Sequence, residues 1–196
     1  MHSKILLSIL SLFAASCSAL PPHFKRDIST NVTLYAYGTN ISGLALYYGN
    51  TDGTSPHPLL TYQSNNFPGH AYISSSPPTN YSTITFDIDG SGLSTWNASF
   101  TNSSNAGTFY IVDSDSSYEA VGFLSSNSTV TNAATSGLSM FGGQVVYSNG
   151  SDIESQFWAE TTGVDGVWSL KWNSDGSSQV DSVPVVVKTI APAAAE

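Results

Sequence analysis

The feature that most constrains the fold is a series of short apolar–polar alternations separated by turn residues. Segments 32–37, 84–89, 109–112 and 167–172 each alternate in this way. A period of two places one face of a strand on a core and the other toward water. Because Gly, Pro, Asn, Asp and Ser punctuate these segments and helical periodicity is nearly absent, we expect an all-β chain.

The number and spacing of the predicted strands indicate the architecture. About ten short strands within residues 27–196 are typical of a single-domain antiparallel β-sandwich. Pro184, near the start of the last strand, favours an edge position there, because proline donates no hydrogen bond to a neighbouring strand. The remaining strands are expected near residues 44–48, 70–73, 119–124, 143–147, 154–160 and 183–190.

A weak internal repeat leaves a β-trefoil open as the alternative fold. The tripeptide Ser-Gly-Leu occurs three times, and each copy is followed three residues later by an aromatic side chain. Units spaced in this way would suit pseudo-threefold symmetry, although nothing outside the tripeptides repeats well. The copies are 42–44, 91–93 and 136–138, and the aromatic residues are Tyr47, Trp96 and Phe141.

The first residues of the chain have the pattern of a secretory signal peptide. Lys4 precedes an apolar segment, 5–15, which is too short for a bilayer span of about 20 residues. Cys17 and Ala19 stand at the positions that a small-residue cleavage site requires. We therefore expect residues 1–19 to be removed on secretion.

A dibasic pair follows the signal peptide. Lys25 and Arg26 are typical of a site for a processing protease that reads two adjacent cations. If the pair is cut, residues 20–26 form a short propeptide and residues 27–196 form the mature all-β domain; a solvated basic pair without processing is the alternative. The expected location is therefore extracellular, either free or in the cell wall.

The charge of the mature domain restricts its partners. Lys171 and Lys188 are its only cations, whereas all 14 carboxylate residues of the chain lie within it. Nucleic acid and anionic membrane surfaces bind through Lys and Arg, so we expect neither as a partner. Cell-wall polysaccharide or an extracellular protein fits better. Since Cys17 is the only cysteine, the mature domain offers no thiol for catalysis, disulfides or metal binding.

Seven Asn-x-Ser/Thr sequons without a central proline predict N-glycosylation of a secreted chain. Each asparagine that carries a glycan must lie on the surface, so the sequons also predict solvent-facing positions. They are spread over the domain, at Asn31, Asn40, Asn80, Asn97, Asn102, Asn127 and Asn149.

Paired carboxylates are the first catalytic arrangement to consider. Glu154 and Glu160 lie on one strand-like segment, about 20 Å apart if the strand is straight. The two carboxylates of a glycosidase are about 5 to 10 Å apart, so this pair does not form an active site by itself. Either residue could pair with a carboxylate of another strand, such as Glu119 or Asp165. We assign no catalytic residue.

Metal sites are not predicted either. Residues 87–92 match the opening of a calcium loop, but Ala98 stands where the closing bidentate glutamate is needed, which favours a simple turn. His57 and His70 lack the spacing of a metal-binding pair. We expect neither a metal nor another cofactor.

Tryptophans supply the candidate binding residues. Trp158, Trp168 and Trp172 lie on two neighbouring predicted strands, and the last two share one face. Indole rings suit stacking on sugars as well as packing in a core. The alternation of these residues with polar ones favours the core, and both roles stay open at this point.

Three segments carry a resemblance to a family. Residues 32–44 resemble the opening of small secreted glycoproteins of filamentous fungi, and residues 156–160 and 166–173 are similar to the C-terminal half of these proteins. The family is functionally uncharacterised. The resemblance implies a fungal extracellular protein and transfers no catalytic residue to this chain.

Together these patterns favour a secreted, N-glycosylated protein, extracellular or associated with the cell wall, that acts as a non-catalytic glycan- or protein-binding module. Two alternatives are kept: a small secreted polysaccharide hydrolase that uses a carboxylate pair, and a host-directed secreted effector. The lack of a recognisable acid–base pair favours the binding module over the hydrolase.

Overall fold

The computed structural model describes residues 28–49, 68–150 and 152–193, and within them the chain is built from β-strands without a helix. The all-β class is confirmed. None of the described residues belongs to a helix long and apolar enough to cross a membrane. Outside the described residues lie the predicted signal peptide and propeptide, with Ala19, Lys25 and Arg26, and also His57.

Sixteen strands are labelled β1 to β16 in chain order. Most are short, as the dense turn residues predict, and β3 and β7 are the longest. Their bounds are Ser29–Val32 (β1), Tyr35–Gly38 (β2), Ile41–Gly49 (β3), Gly69–Ser74 (β4), Ser82–Ile88 (β5), Asn97–Phe100 (β6), Asn105–Val112 (β7), Tyr118–Ala120 (β8), Gly122–Leu124 (β9), Ala133–Ala134 (β10), Leu138–Phe141 (β11), Gln144–Asn149 (β12), Asp152–Glu154 (β13), Phe157–Thr161 (β14), Val167–Asn173 (β15) and Ser182–Lys188 (β16).

The strands form a closed antiparallel barrel of ten strands, to which the others are attached. The β3–β4 hairpin belongs to both parts of the wall. Toward one end its edges pair with β2 and β15, and β16 and β14 complete that part. Toward the other end its edges pair with β5 and β9, and β6 and β7 complete the wall.

The closed wall differs from the predicted β-sandwich. A sandwich consists of two sheets with open edges, whereas each strand of the β3–β4 hairpin pairs along both edges and joins both parts of the wall. β16 is likewise internal, between β14 and β2, rather than at the predicted edge. Pro184 pairs with Trp158 of β14, and the ladder to β2 begins one residue later, at Val185.

The repeated tripeptides are not structurally equivalent, so the β-trefoil alternative is not supported. Residues 42–44 lie inside β3, residues 91–93 lie in the connection after β5, and residues 136–138 lead into β11. The second and third copies nevertheless meet, because the Gly137 N–H donates to the Gly92 carbonyl oxygen at 2.9 Å.

One apolar core fills the barrel. Between β5, β7 and β9, Phe86 packs edge-to-face on Phe109 with ring centroids 5.4 Å apart, and Phe123 contacts both rings. Between β14 and β15, Phe157 packs edge-on against Trp172 at 5.0 Å. All of these side chains are fully buried, and for Phe86, Phe109 and Trp172 the alternation along the strand is consistent with this burial.

Glycines make room where β9 meets the β3–β4 hairpin. A Cβ atom at Gly69 would overlap the Tyr48 ring, and one at Gly122 would overlap the Gly69 carbonyl oxygen. The Cε1 atom of Tyr110 is also only 2.9 Å from the position that a Cβ of Gly122 would take. The junction between the two parts of the wall therefore depends on the small size of glycine.

β11, β12 and β13 form a three-stranded meander beside the barrel, joined to β16 at one residue pair. Leu138, Val145 and Tyr147 point from one face of the meander into the core. The opposite face meets the connection between β5 and β6, where Ser91 bridges to Ser139.

Candidate functional site

The three candidate tryptophans do not form an exposed aromatic platform. Trp172 is fully buried, with the Tyr147 ring edge-on at 5.7 Å, so its indole is closed to a ligand. Trp168 shares its face of β15, as predicted, and packs against the core. Trp158 points the other way but is only 8% exposed. Stacking on sugar would require these side chains to leave their packing partners.

A polar cluster occupies the outer face beside Trp158. Glu160 of β14 pairs with Lys171 of β15 at 3.0 Å, and the Lys171 ammonium lies 5.6 Å from the centroid of the Tyr118 ring. The Tyr118 hydroxyl hydrogen-bonds with the Ser182 hydroxyl at 2.6 Å, which links β8 to β16. Burial raises the pKa of Tyr118, with the Ser182 bond lowering it in part. Glu160 therefore links β14 to β15 through Lys171.

Asp89 forms an Asx turn in the connection that follows β5. Its two carboxylate oxygens accept hydrogen bonds from the Ser91 N–H at 2.9 Å and the Ser91 hydroxyl at 2.8 Å. Asp87 accepts instead from the Asn31 N–H at 3.3 Å. This geometry fits a turn better than a calcium loop. Within the described ranges, no three His, Cys, Asp or Glu side chains are grouped so as to hold a metal.

An open groove of about 400 Å³ lies between this turn and the meander. Its rim carries three exposed apolar side chains: Leu93 in the turn (86% exposed), Phe141 at the end of β11 (69%) and Ile153 in β13 (62%). Val146 of β12 lines it as a buried residue. Apolar side chains from distant segments thus converge on one concave surface, which is typical of a binding site.

Apart from Met140, the rest of the groove consists of serine and glycine residues without charge. Ser139 and Ser148 contribute hydroxyls that have no hydrogen-bond partner among the described residues. Open space surrounds the Cβ positions of Gly90 and Gly150, so a ligand can approach the backbone there. No charged side chain lines the groove in the part of the chain that the structure describes.

The opposite face of the β12–β13 hairpin carries an acidic cluster. Asp113, directly after β7, accepts hydrogen bonds at one carboxylate oxygen from the Tyr147 hydroxyl at 2.8 Å and the Asn149 amide at 3.1 Å. In the ladder of this hairpin, Glu154 lies opposite Tyr147, and Asp152 lies opposite Asn149. Three carboxylates are therefore brought to one side of the hairpin.

This cluster raises the pKa values of two of its members. Burial raises the pKa of Glu154 above its usual 4.5, and the charges of the two neighbouring carboxylates raise it further. Burial, together with the hydrogen bond to Asp113 and the charge of that residue, raises the pKa of Tyr147 to about 12. Asp113 thus takes the position beside Glu154 for which the sequence suggested Glu119 or Asp165.

All seven sequon asparagines are exposed, and at Asn149 the amide nitrogen that would carry a glycan also donates to Asp113. Asn31 and Asn40 also adopt positive φ values of 57° and 61°, the left-handed conformation that asparagine tolerates better than most residues. None of the sequons lies in residues 152–193, so β13 to β16 carry no predicted glycan.

Sequence reasoning missed the groove, although one signal was present. Phe141 is the third aromatic residue of the Ser-Gly-Leu pattern, and Gly142 and Gly143 follow it directly. An aromatic residue at a strand end before a glycine turn has few neighbours to cover it. Leu93 and Ile153 have no such signal, because each is a single apolar residue among polar ones.

Comparison with protein-family models, with curated proteins and with solved structures finds no match to this chain. The resemblance to fungal secreted glycoproteins therefore stays a prediction, as do secretion, N-glycosylation and association with a cell wall. The geometry defines an all-β barrel in which one hairpin carries an uncharged groove on one face and an acidic cluster on the other.

Proposed function

We propose that the protein is a secreted, N-glycosylated extracellular module that binds cell-wall polysaccharide in the uncharged groove without catalysis. The observation that carries this proposal is the exposure of Leu93, Phe141 and Ile153 around one cavity. Single exposed apolar residues are common on protein surfaces, whereas three from distant segments around one cavity favour a site for a ligand.

The lining of the groove suits a neutral sugar. A pyranose ring has an apolar face of C–H groups that packs against an aromatic ring such as Phe141. It also has a rim of hydroxyls, for which Ser139 and Ser148 offer donors and acceptors. The volume of about 400 Å³ falls within the usual range of ligand pockets, about 300 to 1,000 Å³.

The position of the carboxylates favours binding over hydrolysis. Glycoside hydrolysis needs a proton donor and a carboxylate about 5 to 10 Å apart, both beside the sugar. Asp89 and Glu154 are adjacent in sequence to groove residues, but Asp89 binds Ser91 and Glu154 lies on the other face of the hairpin. We therefore expect a sugar to bind without being cleaved.

Isothermal titration calorimetry with soluble chito-, β-gluco- and manno-oligosaccharides tests the proposal. Phe141→Ala should weaken binding about tenfold, because an aromatic stacking contact and its apolar area together contribute about 1.4 kcal/mol. The Phe141 ring is largely exposed, so this change should alter stability by less than about 0.5 kcal/mol. Val180→Ala, at an exposed site outside the groove, is the matched control. Unchanged binding by Phe141→Ala would exclude the groove as the site.

A polysaccharide hydrolase is the second candidate because of one observation. Burial and the charges of Asp113 and Asp152 raise the pKa of Glu154, and two nearby carboxyl groups in different environments are the arrangement of a glycosidase acid–base pair. A reducing-sugar assay on the same polysaccharides distinguishes the two functions. Sugar release that Glu154→Gln abolishes and Glu119→Gln leaves intact would establish the hydrolase.

A further inference from the structure

The β12–β13 hairpin couples the groove to the acidic cluster through its two faces. Val146 and Ile153 line the groove. Tyr147 and Glu154, which alternate with them along the two strands, lie on the side of Asp113. Successive side chains point to opposite faces of a β-ribbon, so a movement of the hairpin changes both surfaces at once.

The acidic cluster brings carboxylates together without a cation. Glu154 is near Asp113 from the loop after β7 and near Asp152 of its own strand. The Tyr147 hydroxyl and the Asn149 amide donate to one oxygen of Asp113, but neither carries a positive charge. Two strands also flank the hairpin: β11 has no titratable side chain, and β15 contributes a tryptophan ring.

Both lysines among the described residues lie away from the acidic cluster. Lys171 pairs with Glu160 on the outer face of the barrel. Lys188 lies opposite Gln144 at the start of β12, with its ammonium 5.4 Å from the centroid of the Tyr37 ring. No lysine among the described residues offsets the negative charge of the acidic cluster, so that charge falls when one of its carboxylates takes up a proton.

We propose that the β12–β13 hairpin is an acid-sensitive wall of the groove, which closes against Asp113 when Glu154 is protonated and then binds the saccharide more tightly. The saccharide part rests on the proposed function, whereas the response of the hairpin to acid does not. When Glu154 is ionised, its repulsion from Asp113, which lies outside the hairpin, weakens the attachment of the strands that carry Val146 and Ile153.

The direction of the response to pH follows from the raised pKa of Glu154 in the folded protein. The fold raises the pKa of this carboxyl above 4.5, so the closed hairpin binds the proton more tightly than the opened chain does. The resulting stability is fully present at pH values below the ordinary pKa of 4.5. It is lost as the pH rises through the raised pKa of Glu154 in the closed hairpin. The affinity of the groove should change in the same direction.

Hydrogen exchange followed by mass spectrometry on the full chain tests the hairpin directly. After correction for intrinsic rates and with β7 as the internal reference, amides of residues 144–154 should exchange about two- to fivefold more slowly at about pH 4 than at about pH 7. That factor is of the size expected when the repulsion between two partly exposed carboxylates is removed. Glu154→Gln, which keeps the shape but not the charge, should show the slower exchange at both pH values.

Glu119→Gln is the matched control, because Glu119 is exposed and lies outside the cluster. It should respond to pH as the unmodified protein does. An equal rate at both pH values, or the same pH response in Glu154→Gln as in the unmodified protein, overturns the acid-sensitive hairpin.

Titration with chitohexaose, laminarihexaose and mannohexaose at the two pH values provides the second readout. Glu154→Gln should bind at neutral pH as tightly as the unmodified protein binds in acid. Binding whose affinity does not depend on pH overturns the coupling between hairpin and groove. If no sugar binds at either pH while exchange responds to acid, the proposed function fails and the acid-sensitive hairpin is supported.

Discussion

Replacement of Trp172 separates the two roles that a tryptophan on β15 could have. The ring is fully buried and packs edge-on with Phe157 at 5.0 Å and Tyr147 at 5.7 Å. Truncation of a buried tryptophan to alanine costs about 3 to 5 kcal/mol, and a domain of this size loses about 2 to 4 °C of Tm per kcal/mol. Trp172→Ala should therefore lower the Tm by about 6 to 20 °C.

Trp172→Phe should have a smaller effect for a specific reason. The buried indole N–H of Trp172 has no hydrogen-bond acceptor among the described residues, and an unpaired donor of this kind costs about 1 to 3 kcal/mol. Phenylalanine removes the donor and keeps an aromatic ring in the core. The lost apolar area and the removed donor oppose each other, so the Tm should fall by less than half as much as in Trp172→Ala.

Thermal unfolding followed by circular dichroism, with sugar binding measured below all transitions, provides the assay. Val180→Ala changes a side chain that is 84% exposed and should shift stability by less than about 0.5 kcal/mol. A Trp172→Ala protein with an unchanged Tm and no sugar binding would refute the reasoning, because the ring would then be an exposed stacking surface.

The junction glycines, the buried tyrosine and the sequons each lead to a further expectation. Gly122→Ala should destabilise the barrel by about 3 kcal/mol, measured by urea unfolding, because its Cβ would overlap the backbone of β4. Gly90→Ala is the control and should have little effect, since its Cβ meets open space. Equal urea midpoints for the two variants would contradict the close approach of β9 to β4. Tyr147→Phe removes the donor to Asp113 and should cost about 1 to 3 kcal/mol, a loss that an unchanged urea midpoint would disprove. Intact mass of the secreted protein should show N-glycans and a start after the signal peptide or the dibasic pair, and a bare full-length mass from a glycosylating host would contradict both processing and glycosylation.

The strands, and which of their side chains point into the core, could be predicted from local patterns. The closure of the sheet into a barrel could not. Residues 167–172 alternate, and the structure places Trp168 and Trp172 on one inner face of β15 as the pattern predicts. No local pattern shows that β4 pairs with β9 at its start and with β15 at its end. That choice of distant partners decides between a barrel and a sandwich.

The groove was hidden from sequence reasoning because its parts are far apart in the chain. Leu93 and Ile153 each look like an isolated apolar residue beside a turn, and such residues are common on surfaces. Asp113 and Glu154 come together only because the end of β7 and the end of β13 meet in space. Alternation itself also has a limit, since it groups residues on a face without showing whether a core or a ligand covers that face.

The pairing of β2 with β16 has a consequence for the order in which the chain folds. Tyr35–Gly38 and Ser182–Lys188 are far apart in the sequence, so their part of the wall cannot close until the chain has been synthesised as far as Lys188. The other part, from β3 to β9, needs only residues 41–124. Because pairing across a long loop is slow, we expect a nascent chain to build the β5–β9 part first and to wait for its last strand to complete the barrel.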